Sequence, residues 1–349
     1  MSRRRNPALT SWSNGGEQPH TADEIQESGH IMRPSGEQYT LAGRIGNQPA
    51  EVTIAQVAAA LLEFTVGAVD VVQRYPKDAA PSLGAGIVMM PWPNRVSHGR
   101  WTNGEVTEQL DITEVKYDNA LHGLLRNTAY PIVSRAENSI TLTATIYAPN
   151  GYPFVLETFV TYTITGEGLE VRHTARNHSA AIAPVAIGTH GYFKIGGVPT
   201  EDLILTSTAR SVYIDNERQL PIDRAEVTGE FDLRNGRRVG DLALDHCFTD
   251  LEGRDGRSST SLTAPDGRAV EVWTDANFAY QVLLTTHEFI DEGGRATLAV
   301  AIEPQTAAVD ALNNKQGLRE LQPGEEWTAR WGVTPRLVPS GQFVGSSRT

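Results

Sequence analysis

The sequence predicts an all-β chain folded as one large antiparallel β-sandwich, and three observations carry that prediction. Apolar or alternating runs of strand length recur along the chain, separated by turn residues. One of them, Ile140-Thr-Leu-Thr-Ala-Thr-Ile146, alternates strictly between apolar residues and threonine, the pattern of a half-buried antiparallel strand. Helical periodicity is not sustained for more than two turns, so strands alternating with helices around a parallel sheet are not expected.

In chain order, residues 1–35 are rich in Ser, Asn, Gly, Glu and His without periodicity and read as a loosely attached lead-in. Folding is expected to start near Gln38, with a single domain over residues 36–340 and a C-terminal tail at 341–349. Strands are predicted at 51–57, 60–66, 69–74, 87–90, 130–135, 140–147, 155–164, 169–177, 182–187, 203–206, 211–215, 269–274, 279–285, 297–303 and 328–333. Turn signals lie between them at Pro149-Asn-Gly151, Gly166-Glu-Gly168, Gly196-Gly197, Asp266-Gly267 and Gly293-Gly294. No internal repeat and no Pro/Ser-rich linker interrupts residues 36–335.

Composition narrows the function. Of 349 residues, 40% are hydrophobic and 21% charged, which provides for a full core. Against 42 acidic residues stand 30 basic ones, a formal net charge of −12 that argues against a nucleic-acid partner. No apolar run is long enough to span a bilayer, and Met-Ser-Arg-Arg-Arg is followed by a polar stretch instead of the apolar core of a signal peptide. The single cysteine, Cys247, excludes a disulfide framework and fits a reducing compartment. A cytoplasmic protein without a membrane partner is expected. Neither glycine-rich nucleotide-binding motif occurs.

The stretch Leu298-Ala-Val-Ala-Ile-Glu-Pro-Gln-Thr306 reads as a buried strand with an acid on its sparsest face. Leu298, Val300 and Ile302 share one face, and Ala299, Ala301 and Glu303 the other. Two alanines before the carboxylate suggest a trough open to a ligand, and Pro304 is expected to stop the strand. Desolvation there favours the neutral carboxyl and suits Glu303 to general base work.

Of nine histidines, His20 and His30 fall in the lead-in, and His98, His178 and His287 in loops or beyond strand ends. His173 shares a face with Leu169, Val171 and Ala175 and reads as a core residue, while His246 alternates away from Asp245. His122 and His190 stand apart. The first precedes Gly123, whose missing side chain would let a ligand approach the backbone, and the second lies between Gly188 and Gly191, before Tyr192 and Phe193. Imidazoles beside small residues and aromatics suit a sugar site. Pro91-Trp-Pro-Asn-Arg95 stiffens a loop that presents Asn94 and Arg95 as donors, or holds itself together through Arg95. Asp245 and Gln281 are polar residues inside apolar runs, equally suited to a structural hydrogen bond or a ligand contact.

Taken together, these segments resemble the aldose 1-epimerase (galactose mutarotase) family. Pro91-Trp-Pro-Asn-Arg-Val96 is similar to its Pro-x-x-Asn-Arg-Ile loop, Leu121-His-Gly123 to its Leu-His-Gly, and His190-Gly-Tyr-Phe193 to its His-x-Tyr-Phe. Leu244-Asp-His-Cys-Phe248 resembles its Asp-His-x-Phe region, and Ile302-Glu-Pro-Gln-Thr306 with Asp310-Ala-Leu-Asn313 its Glu-Pro-x-Thr and Asp-Ala-x-Asn segment. The resemblance spans residues 38–334 with the motifs in order. It departs at Gly191, where the family has Pro or Ser, and at Ala307-Ala-Val309, in place of a Gly-Pro-Pro-like stretch.

The resemblance implies a β-supersandwich that interconverts the α and β anomers of an aldohexose such as galactose or glucose, without a cofactor or metal. It implies Glu303 as base and His190 as acid, with Asn94, Arg95, His122, Asp245 and Gln281 holding sugar hydroxyls. Rival readings keep the same residues in other roles. A hexose-6-phosphate mutarotase would add a cationic clamp, and a glycosidase would pair Asp245 with Glu303. A sugar-binding protein without catalysis would not need both Glu303 and His190, and a metal site would join His122, His190 and Glu303.

Overall fold

The computed structural model describes residues 32–337. Residues 1–31 and 338–349 lie outside them, and with them most of the expected lead-in, His20, His30 and the expected tail. Two antiparallel sheets dominate. The larger has ten strands in the order Ile132–Arg135, Ser139–Tyr147, Val155–Ile164, Leu169–Asn177, Glu326–Arg336, Ala269–Asp275, Arg257–Thr263, Ile204–Ser207 and Arg237–Arg238, with Gly253–Arg254 paired beside Arg257–Thr263. The smaller has eight, in the order Pro221–Glu226, Ser211–Asp215, Asp245–Thr249, Tyr280–Ile290, Ala296–Gln305, Gly188–Thr189 and Val88–Met89, with Gly191–Phe193 also paired to Ala296–Gln305. A four-stranded sheet spans Gln38–Ile45 to Val69–Asp70. One short α-helix, Ala311–Asn314, is found among the described residues.

Alternation explains the large sheet. In Ser139–Tyr147, Ile140, Leu142, Ala144 and Ile146 are buried while the threonines between them face outward. Outward hydroxyls then bond across strands, Thr141 with Thr161 at 2.9 Å, Ser139 with Thr163 at 3.0 Å and Thr174 with Thr328 at 3.0 Å. Such pairs stabilise a sheet on the side the core does not reach. The buried faces of both large sheets meet in one core, where Val160, Val171, Val272 and Trp331 pack in the same cluster as Phe248, Leu283, Val300 and Ile302. His173 belongs to this core, its Nε2 accepting a hydrogen bond from Trp331 Nε1 at 3.0 Å.

Several strands escaped the sequence. Arg257–Thr263 is nearly all Ser and Thr and has little apolar pattern to detect, yet it sits mid-sheet because its neighbours supply the burial. The expected strand at 182–187 shrinks to Ala183–Val185, paired with Arg319–Leu321. The expected stop at Pro304 is not there. The strand Ala296–Gln305 continues through Pro304, opposite Gln281.

Candidate active site

Antiparallel pairing aims side chains in register, and one face of the eight-stranded sheet collects the polar ones. Glu303 stands opposite Val282, and Leu284 opposite Asp245. All four line a cavity of about 580 Å³ on the side of this sheet away from the shared core. That volume lies within the ~300–1,000 Å³ usual for small-molecule sites. The alternate residues Leu283 and Ile302 point into the core instead.

His190 occupies the step between Gly188–Thr189 and Gly191–Phe193. Its backbone is pinned on both sides, His190 N–H donating to Ile87 O at 3.1 Å and Gly86 N–H to His190 O at 2.7 Å. The ring stacks on Tyr192 with centroids 5.2 Å apart and meets His122 edge-on at 5.3 Å. Its Nε2 lies 3.3 Å from Glu303 Oε1, with the side chains 7% and 2% exposed. Glu303 Oε2 accepts a hydrogen bond from Gln305 Nε2 at 3.3 Å.

Asn94 and His122 hold each other through reciprocal bonds, His122 N–H to Asn94 O at 2.9 Å and Asn94 N–H to His122 Nδ1 at 3.2 Å. An Nδ1 that accepts leaves the ring proton on Nε2. Both residues take a positive φ, 57° and 61°. Arg95 is clamped by Glu114, its Nε lying 2.9 Å from Oε2 and its Nη2 2.9 Å from Oε1, while Nη1 reaches Asn94 Oδ1 at 3.4 Å. It therefore braces its loop and also lines the cavity.

Burial sets the electrostatics. It pushes the Glu303 carboxyl well above the usual carboxylate range, and the nearby Asp245 adds to this. Burial pushes the His190 imidazole down to about 4, with Arg95 contributing. His122 is likewise driven well below its ordinary value by burial and then by His190, Arg95 and Arg126. Burial thus biases both members of the His190–Glu303 pair toward neutrality.

Six of the seven sequence-predicted residues, Glu303, His190, Asn94, Arg95, His122 and Asp245, line this one cavity. Gln281 does not. It stands opposite Pro304 on the core-facing side, where its Oε1 accepts a 2.5 Å hydrogen bond from Thr260 of the ten-stranded sheet. Two local expectations are corrected as well. The trough at Ala299 and Ala301 is filled by Tyr192 and Phe289, which pack there in a separate apolar cluster. At Gly123, φ is 73° and an added Cβ would sit 2.2 Å from Met90 O, so the glycine admits a neighbouring backbone and not a ligand. Gly191 has a comparable cause, since a Cβ would meet the Phe193 ring at 2.6 Å.

Sequence reasoning missed Glu114, Gln305, Arg126 and Asp215. Gln305 follows Glu303 at period two, and that alternation was the available signal. Glu114 and Arg126 sit in irregular segments that offered none. Asp215 ends a strand near Asp245, and burial and that like charge raise its carboxyl to about 6 against the opposing pull of Arg95. Among the described residues no group of three His, Cys, Asp or Glu side chains is arranged to hold a metal ion.

Comparison with known proteins adds a lineage. The family model for aldose 1-epimerase matches residues 42–334. An uncharacterized protein of Escherichia coli K12, YihR, is 30% identical over 297 residues, covering 84% of this chain and 92% of its own length. The galactose mutarotase of Rattus norvegicus is 28% identical over 209 residues, a match that covers 54% of this chain and 59% of that enzyme. Among solved structures, a galactose mutarotase-like protein from Clostridium acetobutylicum superposes with a TM-score of 0.72 at 19% identity, covering 86% of this chain and 98% of the other. An aldose epimerase homologue from C. elegans gives 0.73 at 19% identity, covering 85% and 98%. These two share the fold.

Proposed function

The chain belongs to the aldose 1-epimerase family, and on that premise we propose that it is a mutarotase interconverting the α and β anomers of an aldohexose. The observation that carries this reading is the His190–Glu303 contact of 3.3 Å, buried on a cavity wall. Opening a pyranose requires a base to take the C1 hydroxyl proton and an acid to protonate the ring oxygen as the C1–O5 bond breaks. Glu303 as carboxylate and His190 as imidazolium begin that step, and it leaves Glu303 protonated and His190 neutral. The neutral arrangement is the one that burial favours, so the site stabilises the stage at which the aldehyde is free to turn. Ring closure on the other face returns both protons, and the two residues exchange roles.

Asn94, Arg95, His122 and Asp245 surround the pair with hydroxyl partners of both kinds. His122, protonated on Nε2, donates; Asp245 accepts. Tyr192 supplies an aromatic surface to the same wall. The reaction is an internal proton exchange in balance, needing no cofactor. We place the protein in the cytoplasm, in keeping with its buried free Cys247, and none of the described helices is long and apolar enough to cross a membrane.

Fresh α-D-glucose and α-D-galactose followed by polarimetry or NMR, with and without the protein, test the reading. Anomer exchange faster than the spontaneous rate is expected. No acceleration for any aldose would overturn it.

A further inference from the structure

One cation on the cavity wall forms no ion pair with any described residue. Arg126 lines the cavity, yet among the described residues its guanidinium makes neither an ion pair nor a hydrogen bond. Other described arginines in that position, Arg172, Arg254, Arg257 and Arg330, are exposed, whereas Arg126 is partly withdrawn from solvent. A half-buried charge left unpaired loses hydration without gaining a Coulombic partner. Asn127 beside it also lines the cavity, and its side-chain amide bonds to none of the described residues. Arg95 cannot play the same part, because Glu114 already occupies its Nε and Nη2.

Position gives the free cation a meaning. Arg126 is near enough to His122 to lower its basicity, but it is not among the groups that shift His190 or Glu303. On the cavity wall it thus stands on the His122 side of the reacting pair, without touching either member of it. The same cavity is also lined by Asp245, Glu288 and Glu303, carboxyl groups that would repel an anion held beside them. An anionic group has one favourable place to sit.

We propose that the aldose accepted by this site carries an anionic substituent away from C1, and that Arg126, with Asn127 beside it, binds that group. The inference rests on the mutarotase reading and names its substrate class. A guanidinium offers a planar fork to a phosphate or carboxylate. Anchoring the far end also retains the open-chain sugar while its aldehyde turns, which is where a mutarotase risks losing its intermediate.

Glucose 6-phosphate, glucuronate and glucose serve as probes, with α/β exchange at equilibrium measured by NMR exchange spectroscopy above the spontaneous rate. At least one anionic sugar should exceed glucose in kcat/KM by about ten-fold or more, the scale of a charge-assisted hydrogen bond, and the two anions compared distinguish phosphate from carboxylate. Arg126→Gln should bring the anionic-to-neutral ratio close to one, chiefly through KM, and Arg126→Lys should keep part of it. That preference should also weaken with rising salt in the wild type, a readout that needs no variant. Glucose turned over as well as both anionic sugars, or a ratio unchanged in Arg126→Gln, would overturn the inference while leaving the mutarotase intact. If no sugar, glucose included, were accelerated, the mutarotase reading itself would fall with it.

Discussion

His190 Nε2 and Glu303 Oε1 lie 3.3 Å apart, both shut away from solvent, Glu303 on the strand Ala296–Gln305 and His190 in the step between the two short strands that pair with it. Glu303→Gln keeps the volume and the contact with Gln305 but cannot accept a proton. Turnover should fall by ~10²–10⁴-fold. The melting temperature should not drop, because burial already favours a neutral group at 303. Exchange NMR with a thermal melt checks both, and a variant keeping more than about a tenth of wild-type turnover would remove Glu303 from the role of base.

His190 and His122 touch edge-on at 5.3 Å and are separable by kinetics. Proton donation to the ring oxygen occurs only along the reaction path, whereas a hydroxyl contact is made in the ground state too. His190→Asn should reduce kcat and kcat/KM together, and His122→Asn should place more of its loss in KM. A pure kcat loss in His122→Asn instead would exchange the two assignments.

Gln281 faces Thr260 across the core and not the cavity lined by His190 and Glu303. Gln281→Ala removes the nearer of two partners of the Thr260 hydroxyl, leaving Ser207 Oγ at 3.2 Å, and empties a buried site; it should cost about 1–3 kcal/mol of stability, with KM for the aldose unchanged. Denaturant unfolding and steady-state kinetics on the same preparation decide it. A raised KM at wild-type stability would restore Gln281 to the site.

Among the described residues Asp215 Oδ1 is buried without a partner, and burial raises its carboxyl to about 6. The unfolded chain loses this proton near the ordinary value of ~3.9, so folding holds it longer. The sign follows: this contribution to stability is complete below the unfolded value and is lost as pH climbs through the folded one. Asp215→Asn removes that dependence, so its advantage in melting temperature over the wild type should grow between pH 4 and pH 7. Melts at the two pH values giving the same difference would show that Asp215 is not desolvated in solution.

Period-two patterning made the fold class legible. Strands such as Val155–Ile164, Leu169–Asn177 and Ser211–Asp215 appear with the bounds the sequence predicted, since each carries its own burial signal. The motif-bearing residues were legible too, because Glu303 and His190 are distinctive within their own few neighbours. Tertiary structure alone decided the rest. Whether Gln281 faced ligand or core depended on the register of Tyr280–Ile290 against Ala296–Gln305, where one residue of shift turns every side chain over. The alanine trough was filled by Tyr192 and Phe289, the latter from ten residues upstream. Glu114 meets Arg95 across 19 residues, and Arg126 is notable only for a partner it lacks. Local periodicity reports which way a side chain faces. Who waits on the other side is set by contacts between segments distant in the chain, and no local pattern encodes those.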